Sequence, residues 1–569
     1  MAQIPGIVER RISASDRRGS GAGSRRGSAA LGEKIQLARE ARTRLKSLSV
    51  SSFKGSFDIN NFLEDKDLDI VGRTYKDIFP VNSGTEAEEY TSKFIYAVVE
   101  ILLDFINKTN DRDAVVLDFH HPSQITKAMD FTLPDLPLPL EQIVADCRAA
   151  LRYQVKTGHP HFFNQLSQGL DIVSMAGEWL AATANANMFT YEIAPVFIMM
   201  EHEVLLKMRD IIGWKEGDSI LAPGGSISNM YALIIARHKR FPEHKEGGMQ
   251  AIPSTPVCYT SKHSHYSLKG AAATIGIGTG NCRDVDVDAN GRLNVEHLEQ
   301  LILEDIKNGK TPFFVNCTSG STVIGSFDPI NKIADICEKY NLWLHIDGAY
   351  GGGLLMSRQH RVGRFDGVER ANSLTWNPHK LLGVPLQCST LHLKEKGILN
   401  DCNTMKAMYL FQQDKHYDVS YDTGDKVIQC GRHNDIFKFW LSWRSKGSQG
   451  FEFQMDRIME LTQYQMRRMR EMPEKFMFIH QEPEMVNVCF WYIPERLREQ
   501  EHSQEREREL GQITAKLKSR MMYSGNLMVG YQPLDDKPNF FRSIISNQAC
   551  QEEDIDFMLE EIDRLGIDL

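Results

Sequence analysis

The chain has 569 residues, of which 42% are hydrophobic and 25% charged; these are ordinary globular values and exclude wholesale disorder. The net charge of −9 is uneven: residues 1–46 hold 11 Lys and Arg against 4 Asp and Glu, a net of +7 that leaves −16 on the rest. So acidic a body excludes a general nucleic-acid binder, which needs a basic face, and no run approaches the roughly 18 apolar residues of a membrane-spanning helix.

In chain order, residues 1–72 are read as a disordered basic tail rich in Ser, Arg and Gly, too poor in apolar surface to offset the entropy of ordering. Arg-Arg-x-Ser occurs three times in it, ending at Ser13, Ser20 and Ser28, a spacing that suits a kinase reading basic residues. A plain solubilising tail explains the same composition, and a mitochondrial presequence is disfavoured by Glu9 and Asp16. Residues 73–171 form an N-terminal helical segment. Within it Phe94, Ile95, Val98, Val99, Leu102, Phe105 and Ile106 recur at helical spacing, predicting an amphipathic helix over 88–107. That helix suits a subunit interface or burial in its own subunit. A proline-rich stretch, 133–139, marks a connection.

Residues 172–450 form the large domain. Short apolar strands at 219–222, 255–260, 312–316 and 342–346 alternate with helical patterns, which predicts an α/β fold with a mainly parallel central sheet flanked by helices. Residues 451–569 make a smaller α+β C-terminal domain, with a long charged helix near 450–480 and strands around 486–491. The Glu-Arg run 505–509 reads as a solvated helix start. The ten cysteines show no CxxC and no pairing with His at zinc spacing. They are read as reduced thiols of a cytoplasmic protein, and the histidines at 120–121 and 159–161 as structural, with no metal expected.

Four features of the large domain converge. The strand 219–222 leads through Pro223-Gly224-Gly225 to Ser226, Ile227 and Ser228 at a helix start, where free N–H groups and a dipole end suit an anion. A plain capped turn has the same sequence. His265 follows an apolar strand; Asp347 ends another, and a buried carboxylate there needs a cation partner. Asn377-Pro378-His379-Lys380 carries a lysine on a short turn. Together they offer a phosphate cup, an aromatic cover, a carboxylate and an amine, which are the needs of pyridoxal 5'-phosphate.

From about residue 75 to the end, the sequence resembles the pyridoxal-phosphate decarboxylase group (group II) that contains glutamate, cysteine sulfinate and aromatic amino-acid decarboxylases. It looks most like the animal glutamate decarboxylases. The matching runs are 159–167, 187–195, 412–426 and Asn539-Phe540-Phe541-Arg542. The resemblance implies a fold-type-I enzyme that decarboxylates L-glutamate to 4-aminobutanoate through a Schiff base and a quinonoid intermediate. Cysteine sulfinate or aspartate, giving hypotaurine or β-alanine, is the alternative. An aminotransferase or lyase on the same scaffold is disfavoured by the loop that carries Tyr417, and a non-enzymatic relative by intact Lys380, Asp347, His265 and Arg542.

Residue by residue, the resemblance makes Lys380 the Schiff-base lysine, Asp347 the partner of the ring nitrogen and His265 the stacking histidine, with Ala349 on the other ring face. Ser226, Ile227, Ser228, Thr318, Asn377 and His379 complete the cofactor pocket. Gln165, Leu166, Ser167, Phe189 and Arg542 bind the acidic amino-acid substrate, Arg542 holding its side-chain carboxylate. Tyr417 is the proton donor, on a mobile loop over 409–426 that reaches into the neighbouring subunit's site, so a homodimer with shared active sites is implied. Gly348 and Tyr350 stand where the family usually has Ala and Trp.

Overall fold

The computed structural model describes residues 85–136 and 138–569, the first six by backbone alone. The tail over 1–72, with Ser13, Ser20 and Ser28, lies outside the described residues. The chain divides into two compact units: residues 1–91 with 135–141, and Ser92–Pro134 with Gln142–Leu569. The second holds both sheets.

Helix α1 (Thr85–Asn110) contains the amphipathic run expected at 88–107. Ala97 and Ile101 are buried, while Ile95, Tyr96 and Leu103 on the same helix are more than half exposed. The central sheet has seven strands in the order β2-β8-β7-β6-β5-β3-β4. They are β2 (Asp218–Ala222), β3 (Pro256–Ser261), β4 (Cys282–Val285), β5 (Thr311–Thr318), β6 (Trp343–Gly348), β7 (Ser373–Trp376) and β8 (Ser389–Leu393). Each of the four strands expected from sequence is present, its ends displaced by at most two residues. Their central residues are buried, Phe313, Phe314 and Val315 on β5 almost completely, which is why they read as unbroken apolar runs.

From β4 through β7 the neighbours pair in parallel, whereas β8 runs antiparallel between β7 and β2. The reversal follows from the β7–β8 connection, where residues 377–388 make turns and no crossover helix. That connection carries Lys380. Helix α2 (Gly225–Arg240) follows β2 directly. Register places Asp347 of β6 opposite Thr318 of β5 and Thr375 of β7, at the carboxyl ends of parallel strands, where open α/β sheets bind ligands.

A second sheet has the order β1-β11-β12-β10-β9. It is built from β1 (Phe162–Phe163), β9 (Phe476–Phe478), β10 (Asn487–Tyr492), β11 (Met528–Leu534) and β12 (Lys537–Ile544). Only β1 pairs in parallel within it. The long helix expected near 450–480 is α3 (Ile436–Arg470); it starts earlier, breaks at Gly447 (φ 64) and stops before Pro473. Helix α4 (Gln504–Ser524) begins in the Glu-Arg run as expected, with Ser503 as its cap. The run is not wholly solvated, however. Arg506 and Glu507 are buried, Arg506 donating to the Leu497 carbonyl and Glu507 accepting from Lys537. Upstream, Arg112 makes two hydrogen bonds to the Asp554 carboxylate in helix α5 (Glu552–Gly566), and His161 lies against the same group. The pairing holds that carboxyl down at about 2, against burial, which opposes it.

Candidate active site

Strand β2 ends at Ala222, and the chain turns through Gly224, whose φ of 95° is open chiefly to glycine. Helix α2 then starts with no side-chain cap, so the N–H groups of Gly225 and Ser226 have no partner one turn back. Both residues line a cavity of about 230 Å³ at the carboxyl end of the sheet, with Asn229, His265, Thr318, Asp347, Ala349, Asn377, His379 and Lys380. Gly225 closes one wall tightly: a Cβ there would lie 2.7 Å from the Asn377 amide nitrogen.

Asn377 is itself held, because Ser389 donates to its Oδ1 at 2.6 Å and Ser228 lies 2.8 Å from the Ser389 hydroxyl. Ser228 thus supports the wall from behind, and Ile227 packs into the apolar cluster beneath α2. His379 Nδ1 lies 2.5 Å from the Cys388 carbonyl and 3.0 Å from the Cys388 N–H, and burial pushes that imidazole down to about 4, which keeps it neutral. Thr318 accepts from the Asn316 amide at 3.2 Å.

Asp347 is buried; its Oδ2 accepts from Asn229 Nδ2 at 2.8 Å and its Oδ1 from the Ala349 N–H at 3.1 Å. Among the described residues no cation lies within ion-pair distance of it. Lys380, facing the same cavity, has no carboxylate within that distance either, and its Nζ stands 5.9 Å from the centre of the Tyr350 ring. Burial lowers the Lys380 pKa, with Asp347 opposing and Arg542 reinforcing the shift. His265 is lowered first by burial and then by Lys380, with Asp347 opposing. The Ser267 N–H donates to His265 Nδ1 at 3.3 Å, leaving the other ring nitrogen available.

Arg542, on β12, donates from Nη1 to the carbonyl of Thr322, a cavity residue, at 2.7 Å, and its buried Nε has no partner. Burial depresses its pKa, with Tyr350 opposing. The other expected substrate residues are not at the cavity of their own chain. Gln165 is exposed and Ser167 half-buried, while the Leu166 carbonyl accepts from Ser546. The Phe189 carbonyl accepts from Gly424 N–H at 2.7 Å and so anchors the 409–426 loop. The Tyr417 hydroxyl donates to Asp422 at 3.0 Å. Sequence reasoning missed Asn229, which closes the Asp347 contact. The available signal was a polar residue on the cavity side of α2 three positions after Ser226.

A half-buried amine facing no carboxylate, a buried carboxylate without a cation, an uncapped helix start and an imidazole around one cavity fit pyridoxal 5'-phosphate as amine, ring-nitrogen partner, phosphate cup and ring cover. Fold and site together are those of a fold-type-I pyridoxal-phosphate enzyme. Residues 122–493 match the family model described as the pyridoxal-dependent decarboxylase conserved domain, and the chain belongs to that family. Over 498 residues it is 61% identical to the glutamate decarboxylase of Drosophila melanogaster, a match covering 87% of this chain and 97% of that one. The crystal structure of mouse CSAD superposes with a TM-score of 0.82 at 44% identity, covering 84% of this chain and 99% of its own. Catharanthus roseus tryptophan decarboxylase in complex with L-tryptophan, at 22% identity and TM-score 0.73 over 86% and 100% of the two chains, shares the fold.

Proposed function

We propose that this decarboxylase converts L-glutamate to 4-aminobutanoate and carbon dioxide. Arg542 carries the proposal: a half-buried guanidinium beside the cavity, its Nε without a partner, suits the distal carboxylate of an acidic amino acid. The 61% identity to a glutamate decarboxylase supports the same substrate. When bound, pyridoxal phosphate supplies an aldehyde for the substrate amine and a ring that takes up the electrons of the breaking Cα–carboxylate bond. Gly225 and Ser226 bind its phosphate through their N–H groups, and His265 and Ala349 cover the ring faces. Asp347 holds a proton at the ring nitrogen. Burial disfavours the charged form of Lys380, with Asp347 opposing, which is the direction that a Schiff-base amine needs. Arg542 fixes the substrate's long axis, which orients the scissile bond.

A loop tyrosine returns the proton to Cα. Of the tyrosines on this segment, Tyr417 has its hydroxyl bonded to Asp422, while Tyr409 is 80% exposed. That difference favours Tyr409 over Tyr417 as the donor. We place the donor in the site of a second copy of the chain, since neither tyrosine lines the cavity of its own. Exposed apolar residues beside the loop and on neighbouring helices, among them Met405, Met408, Val173 and Leu180, are consistent with such a homodimer. Among the described residues no helix is long and apolar enough to cross a membrane. The ten free cysteines, nine of them not exposed, suit a reducing cytoplasm.

Offering purified holoenzyme glutamate, aspartate and cysteine sulfinate in competition tests the substrate: 4-aminobutanoate is the expected main product. β-Alanine or hypotaurine in its place overturns the assignment. Mixing Lys380→Ala with Tyr409→Phe chains tests the shared site, because one of the two sites in a mixed dimer then holds neither change and activity returns. No recovery on mixing refutes the sharing.

A further inference from the structure

From Asn229, which lines the cavity and holds Asp347, a file of polar side chains runs back into the sheet, and the roles above use none of the others. Trp343 and His345 stand on β6, Ser373 on β7 and Asn229 on α2, and all four are buried. Trp343 Nε1 donates to Ser373 Oγ at 2.8 Å, Ser373 Oγ lies 2.8 Å from His345 Nδ1, and His345 Nε2 lies 3.1 Å from Asn229 Oδ1. The Asn229 amide nitrogen then reaches Asp347 Oδ2 at 2.8 Å and Ser267 Oγ at 3.0 Å. Strand register makes the contact at the centre of the file, since His345 and Ser373 are paired across β6 and β7.

We infer that Trp343, Ser373, His345 and Asn229 form a one-way hydrogen-bond relay that positions Asp347 and fixes it as the acceptor for the cofactor's ring nitrogen. The inference rests on the reading of Asp347 as the partner of that nitrogen.

The direction of the relay follows from the chemistry of its two ends. An indole nitrogen can only donate, so Ser373 accepts from Trp343 and has its own hydrogen free for His345 Nδ1. His345 is then the tautomer with hydrogen on Nε2, and it donates to Asn229 Oδ1. Asn229 turns its amide hydrogens toward Asp347 and Ser267. The other tautomer strands the hydroxyl hydrogen of Ser373. It also flips Asn229, setting a carbonyl oxygen against the Asp347 carboxylate. In a dry interior each such conflict leaves a polar group unsatisfied. Burial pushes His345 down to about 4, so the neutral form that the relay needs is the one present near neutral pH. From Trp343 to Asn229 the donors run one way, and the last of them reaches Asp347. With Asn229 on one oxygen and the Ala349 N–H on the other, the carboxylate is stabilised as an anion and turned to present its remaining lone pairs.

These are positioning residues, and the test must separate positioning from mere support of the fold. Apoprotein carrying His345→Leu, His345→Gln or Asp347→Ala is titrated with pyridoxal phosphate labelled with 15N in its ring. The dissociation constant and the ring-nitrogen resonance are both read, together with the thermal transition of each apoprotein. His345→Leu should weaken cofactor binding roughly tenfold, as loss of a support to a charged group does, and should move the resonance toward the unprotonated value. His345→Gln, which can accept from Ser373 and donate to Asn229, should restore most of both. Ser373→Ala changes less volume and should shift the resonance in the same direction, so the test survives if His345→Leu does not fold. A wild-type resonance and affinity in His345→Leu or Ser373→Ala, alongside their loss in Asp347→Ala, overturns the relay and leaves the Asp347 role standing. Wild-type values in Asp347→Ala overturn that role itself.

Discussion

Asp347 and Tyr417 were both expected to act on the substrate carbon's electrons or protons, yet the molecule holds them by opposite means. Asp347 ends a buried strand whose register on both sides is set by the sheet, and its oxygens meet Asn229 and the Ala349 N–H. Tyr417 lies on a segment of short turns, with 3-10 pieces at Val419–Tyr421 and Thr423–Lys426. Polar ties hold that segment, among them bonds of Thr423 to the Met188 carbonyl and to Arg432, and of Asp425 to Thr404. Asp422 accepts from Tyr191 N–H, Lys415 and Tyr417, and Gly424 bonds to the Phe189 carbonyl. Strand register holds the floor, whereas side-chain hydrogen bonds and short turns hold the loop, and these can change without disturbing a sheet. Chemistry that needs a fixed ring acceptor and a donor that arrives late is served by that division.

The largest effect is expected at the floor. Lys380→Ala should lower kcat by roughly three orders of magnitude or more, as removal of a covalent catalyst does, and should abolish the visible absorbance of bound cofactor. Retained absorbance at the wild-type wavelength would show that another amine takes its place. On the loop, Tyr409→Phe should cost about a hundredfold in kcat, the scale of a lost general acid, with KM little changed. Tyr417→Phe should cost no more than a few-fold, since its hydroxyl serves Asp422. The opposite order would return the proton-donor role to Tyr417 and erase the distinction drawn here. A smaller effect is expected at Gly225→Ala. The new Cβ would press on Asn377 from 2.7 Å, and cofactor affinity should fall about tenfold while the apoprotein's fold survives. Unchanged affinity would mean that the cup has room to adjust.

How far the sequence could be read follows the same division. The strands were legible because apolar runs buried on both faces leave a continuous signal, and Lys380, Asp347 and His265 were legible because each follows such a run. The reversed β8 was not, because an apolar run carries no direction and the turn at 377–388 has no feature that excludes a crossover. His345 was hidden for another reason: it is a single polar residue inside the run 342–346, and its partner Ser373 is set by pairing between strands 28 residues apart. The burial of Arg506 and Glu507 likewise depends on Leu497 and Lys537, which local charge patterning does not reveal. Tyr417 stands in a run that matches the family, and only its bond to Asp422 shows that its hydroxyl is already engaged.

The finest test of the floor uses pH. His345 titrates at its ordinary 6.5 in the unfolded chain and at about 4 in the folded one, because burial disfavours its charged form. Between those values the unfolded state binds more protons, so stability must rise with pH there; the penalty is fully present below about 4 and gone above 6.5. A shift of that size corresponds to at most about 3–4 kcal/mol. His159 and His379, also held near 4 by burial, add slopes of the same sign, so the wild-type curve alone cannot isolate His345. His345→Gln does not titrate and keeps the relay's donor. The difference in thermal midpoint between wild type and His345→Gln apoprotein should therefore change as the pH falls from 6.5 toward 4, with the wild type losing stability faster. A difference that stays constant across that range would mean that His345 is not held neutral in the folded chain, and that the floor is less rigidly specified than the loop comparison requires.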